Sequence, residues 1–312
     1  MRVGISACLL GERVRWDGGH KREPFLTEIF GRYVEWVPVC PELEVGMGVP
    51  REPVRLVQLG GNTHMLGVHS GHDWTERMRR WAQRRVRELE ELELCGFVLK
   101  KDSPSCGMER VRIYGPRGEL RGQGRGLFAE VLLGHQPLLP VEEEGRLNDP
   151  AIRENFIERV FAYRRLRSLF AGRWTVGRLV EFQARHKLQI MAHSPQACRR
   201  LGRIVADAKR LPRQQVRERY ETEFMSALKV RATARRHVNV LQHCLGYLRQ
   251  QLDAPARQEL VAVIEDYRRG LVPLVVPITM IRHYARLLNV EYLQGQVYLD
   301  PHPKELMLRN RV

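Results

Sequence analysis

Over the first 150 residues, apolar runs of strand length alternate with stretches where apolar residues return every three or four positions. The runs at 2–6, 34–39, 55–59, 97–99 and 111–114 are bounded by turn formers and predict strands. Met78, Trp81, Ala82, Val86 and Leu89 mark one face of a helix for which Asp73 or Thr75 is the expected cap. Shorter helices are expected over 24–32, entered at Pro24, and over 127–133. Strands that alternate with helices predict an α/β domain, a mainly parallel sheet with flanking helices.

Beyond Pro150 only the helical period remains. Helices are expected over roughly 150–171, 176–191, 195–209, 212–230, 231–252, 255–270 and 277–289, several of them opened by Pro in the first turn, with an extended tail at 296–303. No fixed repeat is visible, so this half predicts an all-α bundle rather than a solenoid. The run Glu142-Glu-Glu-Gly-Arg-Leu-Asn-Asp-Pro150 carries the boundary, which divides the chain into 1–147 and 148–312.

Charge changes the picture at the same place. Residues 1–150 hold 22 Lys/Arg and 22 Asp/Glu, whereas residues 151–312 hold 30 and 14, so the whole excess of +16 lies in the helical half. Between Arg199 and Arg236 stand 12 basic residues and 4 acidic ones, mostly arginines, a composition suited to phosphate contacts. The N-terminus lacks a long apolar run behind a basic segment, and no run of about 18 apolar residues is free of charge, so neither a signal peptide nor a membrane span is indicated and a cytoplasmic protein is expected. Six scattered cysteines do not suggest a disulfide framework, and in a reducing compartment clustered cysteines bind metal or do chemistry.

Three of the six end strand-like runs. Cys8 follows 2–6, Cys40 follows 34–39 and opens Cys40-Pro41-Glu42, and Cys106 sits in Ser103-Pro104-Ser105-Cys106-Gly107 just past 97–99. In an open α/β sheet ligands gather at the carboxyl ends of strands. Three soft thiolates meeting there suit an iron–sulfur cluster, or zinc, while the spacing alone also permits merely buried cysteines. Cys95, Cys198 and Cys244 read as structural. His186, His193, His237 and His243 read as packing or RNA-contacting residues rather than metal ligands. Glu42, Asp17 and Ser103 are candidate proton carriers or positioners.

Ser6-Ala-Cys8 with Trp16-Asp17-Gly18, Pro38-Val-Cys40-Pro-Glu42 with residues 46–51, and residues 100–107 together resemble the thiouracil desulfidase family. The second half, with His186-Lys187 and Met191-Ala-His193-Ser194-Pro195, resembles the helical domain fused to it in tRNA 4-thiouridine desulfidases. The resemblance implies a 4Fe–4S cluster held by Cys8, Cys40 and Cys106, whose free iron takes the sulfur of a thiolated pyrimidine without net redox change. It associates Glu42 and Ser103 with catalysis, Asp17 and Lys101 are the candidate substrate contacts, and on this reading Lys100 and Lys101 are candidates to stabilise an anionic ring or a phosphate. One departure is local: Val14-Arg15-Trp16 stands where a short cysteine- or arginine-rich stretch is expected before Asp17-Gly18.

The expected activity is therefore a non-redox, hydrolytic desulfidase that converts 4-thiouridine in tRNA to uridine and hydrosulfide. The expected partner is tRNA, bound by the basic helical half, with no membrane and no nucleotide cofactor. Three rivals remain: a desulfidase of free thiouracil, a non-catalytic RNA-binding redox or metal sensor, and a zinc protein. Ser105 has no role beyond a hydroxyl that caps the loop backbone or bonds a cluster sulfur.

Overall fold

The computed structural model describes residues 1–311, which divide into two compact units, Met1–Asp149 and the residues from Pro150 onward. In the first unit, β1 (Arg2–Ser6), β2 (Glu35–Val39), β5 (Phe97–Leu99) and β8 (Val141–Glu143) form one sheet in the order β2-β1-β5-β8, parallel throughout. A second sheet, β4-β3-β6-β7, joins β3 (Val54–Leu59), β4 (Asn62–Gly67), β6 (Val111–Tyr114) and β7 (Leu120–Gly124). It is mixed, with two antiparallel hairpins linked by a parallel β3–β6 pair. The sequence predicts an α/β unit, and the unit is one, but with two four-stranded sheets in place of a single sheet.

Three α-helices belong to this unit: α1 (Pro41–Glu44), α2 (Thr75–Glu91) and α3 (Leu127–His135). The predicted face of α2 is the buried one, with Met78, Trp81, Ala82, Val86 and Leu89 all inside. Asp73 Oδ1 accepts from the Thr75 amide at 2.9 Å, as an N-terminal acid does at a helix start. Trp81 of α2 meets Phe128 of α3 at 5.6 Å between ring centres, and Phe128 meets Phe97 of β5 at 5.8 Å. That aromatic chain locks the helix pair over the parallel sheet. The short helix expected over 24–32 is present, wound as a π-helix over Phe25–Ile29 and a 3-10 helix over Phe30–Arg32.

The second unit is largely helical: α4 (Pro150–Phe170), α5 (Val176–His193), α6 (Pro195–Ala206), α7 (Arg213–Lys229), α8 (Ala234–Leu248), α9 (Ala254–Arg268), α10 (Val275–Leu287) and α11 (Glu291–Gln294). Thr175, Ser194, Thr233 and Asp253 cap four of these, each side chain accepting from the amide three residues on. Leu188, Leu241, Cys244, Leu260, Ile281 and Tyr298 share one core. The tail is not extended: 3-10 turns at Val297–Leu299 and Lys304–Leu306 feed Tyr298 and Arg309 into the interior. The reason is polar. Buried Arg309 donates to Glu154 at 3.2 Å and to the Tyr298 carbonyl at 2.6 Å, and Glu158 lies 3.9 Å away. Among the described residues, no helix is long and apolar enough to cross a membrane.

Candidate active site

Three chain reversals at the carboxyl ends of β1, β2 and β5 place Cys8, Cys40 and Cys106 in the wall of one cavity of about 390 Å³. Cys8 lies in the 3-10 turn Ala7–Leu10 that continues β1, and its carbonyl accepts from the Lys21 amide at 2.9 Å. Cys40 stands at the start of α1, where its amide donates to Glu44 Oε1 at 3.0 Å.

Cys106 is held by the most constrained of the three loops. Asp102 turns the chain with φ 59°, after which Ser103 Oγ accepts from the amides of Ser105 and Cys106 at 3.3 and 3.2 Å. The Ser105 carbonyl accepts from Phe128 and Ala129 at 3.0 and 3.2 Å, so the first turn of α3 is satisfied by this loop. A Cβ on Gly126 would lie 2.5 Å from the Ser105 carbonyl carbon and oxygen, which is why glycine stands there.

Burial pushes all three thiols up from their ordinary value. Cys8 rises to about 11, chiefly by burial and then by proximity to Cys40. Cys106, the deepest, rises through burial and then through the nearby Glu42, Cys40 and Cys8, against a lowering contact from Ser6. Cys40 rises through burial, partly offset by an amide bond from Leu43. Thiolates in a poorly solvated wall repel one another, so a positively charged group in the cavity would favour their ionised form.

Glu42 anchors a polar chain on the same wall. Its Oε2 accepts from Arg51 Nη2 and Nε at 2.6 and 3.1 Å, and its Oε1 accepts from Ser105 Oγ at 2.8 Å and Ser103 Oγ at 3.5 Å. Arg51 also donates to the carbonyls of Val14 and Gly48 at 3.0 and 2.8 Å. The two serine hydroxyls are 2.9 Å apart, and Ser105 Oγ is 3.8 Å from Cys106 Sγ. Ser103 is thus the residue that caps the loop backbone, while Ser105 is the closer hydroxyl to Glu42.

Lys100 and Lys101 line the cavity. Lys100 Nζ donates to Glu144 Oε1 at 2.6 Å, and the Lys101 amide donates to Glu144 Oε2 at 2.7 Å. Glu144 belongs to the acidic run in which the sequence places a domain boundary. There β8 pairs with β5, and its carboxylates are buried against partners: Glu142 faces Arg146 at 2.7 Å and Glu143 accepts from the Met108 amide at 2.8 Å. Asp17 does not line the cavity. Its Oδ1 accepts from the Gly19 amide at 3.0 Å and lies 3.5 Å from Arg15 Nε, while its neighbour Trp16 is a lining residue.

The other cysteines and histidines lie apart. Cys95 and Cys244 are buried, and Cys198 Sγ is 3.8 Å from the Lys187 carbonyl. His186 stacks on Phe182 at 3.8 Å, His193 sits 3.4 Å from Glu158, His237 bonds the Tyr298 hydroxyl at 3.0 Å, and His243 is exposed.

Sequence reasoning missed the roles of Arg51 and Glu144, and it gave Ser105 a capping or sulfur-bonding hydroxyl but not its bond to Glu42. Arg51 was visible only as the end of a glycine loop, and nothing local in the sequence pairs Glu144 with a lysine 44 positions away.

A family model for 2-thiouracil desulfurase matches residues 3–144, and one for a family of unknown function, DUF1722, matches residues 187–303. An uncharacterized protein of Escherichia coli strain K12, YbgA, is 37% identical over 153 residues, 49% of this chain and 90% of that protein. Another from Bacillus subtilis strain 168, YbbK, is 31% identical over 153 residues, 46% of this chain and 97% of that protein. A solved 4Fe–4S-dependent thiouracil desulfidase, TudS, is 30% identical, with a TM-score of 0.39 over 47% of this chain and 93% of its own.

Proposed function

Because the chain belongs to the 2-thiouracil desulfurase family, we propose that it removes the sulfur of 4-thiouridine in tRNA, using a 4Fe–4S cluster held by Cys8, Cys40 and Cys106. The observation that carries this reading is the convergence of three soft donors, from three separate strand ends, on a single cavity whose wall also holds a half-buried carboxylate and two hydroxyls. Among the described residues, no three His, Cys, Asp or Glu side chains gather closely enough to hold a single metal ion.

When bound, the cluster supplies a thiophilic iron with a coordination position that three cysteines leave open, which draws electron density from the ring carbon bearing the sulfur. The chain's own residues do the rest. Glu42 takes a proton from the attacking water at Oε1, the oxygen turned toward the serines. Arg51 fixes that carboxylate through Oε2, which leaves Oε1 as the working oxygen. Ser103 and Ser105, linked by their 2.9 Å contact, hold the water or the pyrimidine edge. Lys100, oriented by Glu144, and Lys101 place positive charge where the ring becomes anionic. Water in and hydrosulfide out balance the reaction without an oxidant or reductant.

The tRNA substrate is supported by charge. Ten of the twelve Lys/Arg between Arg199 and Arg236 are exposed, a surface a free base does not need and a phosphate backbone does. A thiouridine must also leave its stack to enter the cavity. The test is anaerobic purification, an absorbance spectrum, and an assay on thiolated tRNA beside free 2-thiouracil. Loss of thiouridine absorbance with hydrosulfide release is expected for wild type, and neither is expected for Glu42→Ala or Ser103→Ala, whose cluster spectrum stays intact. Turnover of the free base alone would defeat the tRNA claim. A brown protein that leaves both substrates untouched would defeat the desulfidase claim.

A further inference from the structure

A second cavity, of about 340 Å³, begins where the thiol-lined one ends. Val54, Asp102 and Pro104 belong to the walls of both. Its remaining wall comes from β3 and β6, with Arg55, Arg112 and Tyr114 as its polar and aromatic members. The parallel β3–β6 register pairs Leu56 with Ile113 and Val57 with Tyr114. One residue earlier, the same register sets Arg55 beside Arg112, on one face of the sheet.

Two like charges side by side on neighbouring strands are unfavourable unless an anion sits over them. Asp102 is the single acid among the described lining residues, and its carboxylate lies 3.9 Å from Lys101 Nζ. Arg55 lies over the Tyr114 ring, with Cζ 5.8 Å from its centre, and its Nε is buried without a hydrogen-bond partner. The wall thus combines a guanidinium pair suited to phosphate with an aromatic ring suited to stacking.

We propose that this cavity receives the polynucleotide beside the target: Arg55 and Arg112 bind a backbone phosphate next to the thiolated uridine, and Tyr114 takes the neighbouring nucleotide. This rests on the desulfidase reading and deepens it, because a nucleotide turned into the first cavity stays tethered by its phosphodiester links to neighbours that must lie at the rim. The desulfurase unit itself then distinguishes RNA from free base, separately from the basic helical half.

The experiment uses the full-length chain. Cluster-free wild type, Arg55→Ala/Arg112→Ala and the exposed single change Arg112→Glu are titrated with a short single-stranded oligonucleotide that carries one 4-thiouridine, followed by fluorescence anisotropy across salt concentrations. Loaded proteins are assayed on that oligonucleotide, on 4-thiouridine nucleoside and on its 5′-monophosphate.

The expected result is about tenfold weaker oligonucleotide binding and a salt slope lower by about 0.7 for the phosphate lost. KM for the oligonucleotide rises in step while turnover of the nucleoside stays within about twofold, the split expected when binding to a remote part of the substrate is lost. Unchanged oligonucleotide affinity and slope would overturn the proposal. Equal loss on oligonucleotide and nucleoside would also overturn it, as would an effect expressed fully on the monophosphate. If wild type turns over nothing, the desulfidase reading fails, and the anisotropy series still decides whether the subsite exists.

Discussion

Replacing Arg51 by methionine asks whether the Glu42 carboxylate is clamped or merely close. Four hydrogen bonds run from this guanidinium: two to Glu42 at 2.6 and 3.1 Å, and one each to the carbonyls of Val14 and Gly48 at 3.0 and 2.8 Å. The side chains of Arg51 and Glu42 are 5% and 13% exposed, so water reaches the pair poorly. Methionine keeps much of the stem's bulk and removes every donor. Glu42 is left with Ser105 at 2.8 Å and Ser103 at 3.5 Å, and two carbonyls lose a partner.

Breaking a buried pair from one side costs about 3–5 kcal/mol, against about 0–1 kcal/mol for an exposed pair. At about 2–4 °C per kcal/mol for a unit of this size, the melting temperature should fall by about 6–20 °C. Four of the five tryptophans, Trp16, Trp36, Trp74 and Trp81, lie in Met1–Asp149, so intrinsic fluorescence follows this unit's unfolding in the intact chain. All variants are compared free of cluster. The Arg51→Met/Glu42→Gln double change should be milder than Arg51→Met alone, with a coupling energy of about 2 kcal/mol, because it removes the stranded charge. A fall below about 2 °C with no coupling would refute the clamp and return the pair to the class of surface contacts.

Three further outcomes are expected. In the helical unit, Glu158 is held below its ordinary 4.5: burial pushes it up, but His193 and then Arg309 outweigh burial. His193 is held above its ordinary 6.5, where burial pushes down and Glu158 outweighs it. The Glu158 contribution is therefore complete above about pH 4.5 and lost as pH falls through its lowered folded value, while that of His193 is complete below about pH 6.5 and lost as pH rises through its raised one. Urea midpoints should be highest between the two, and His193→Gln should flatten the alkaline side; a midpoint that climbs steadily above pH 7 would contradict this. Gly126→Ala forces a Cβ against the Ser105 carbonyl and should cost about 1–3 kcal/mol and lower cluster uptake, measured by iron and sulfide content. Glu144→Gln leaves the Lys100 ammonium, 14% exposed, without its counter-charge, and should lower the fluorescence melting temperature more than Glu28→Gln, which breaks a pair about half exposed on both sides.

Much of the molecule is written locally in the sequence. The strands that deliver Cys8, Cys40 and Cys106 are apolar runs cut off by turn formers, and the helical period of α2 is the buried face seen in the structure. What stayed hidden depends on partners far along the chain. β8 and the Glu144 that follows it read as an acidic linker because their burial is made tolerable by Arg146, the Met108 amide and Lys100, none of them apolar. β4 lacks alternation, yet Leu59-Gly60-Gly61-Asn62 carried the signal: both glycines have positive φ, 53° and 86°, and Leu59 pairs with Asn62 across a two-residue hairpin turn. In the site, the three thiols were legible because each ends a strand. Arg51 and Ser105 were not, since their role is set by Glu42, nine and 63 positions away.

The helix α3 begins without a side-chain cap, its leading amides taken up by the carbonyls of Pro104 and Ser105. Helix end and cysteine loop therefore open together or not at all, as one cooperative unit. Amide exchange at Phe128 and Ala129 becomes a gauge of the loop around Cys106, readable by NMR or mass spectrometry without touching a thiol. It follows that a substitution deep in α3, such as at Leu132, would register at the cysteine loop as faster opening, although no atom of that residue belongs to the cavity wall.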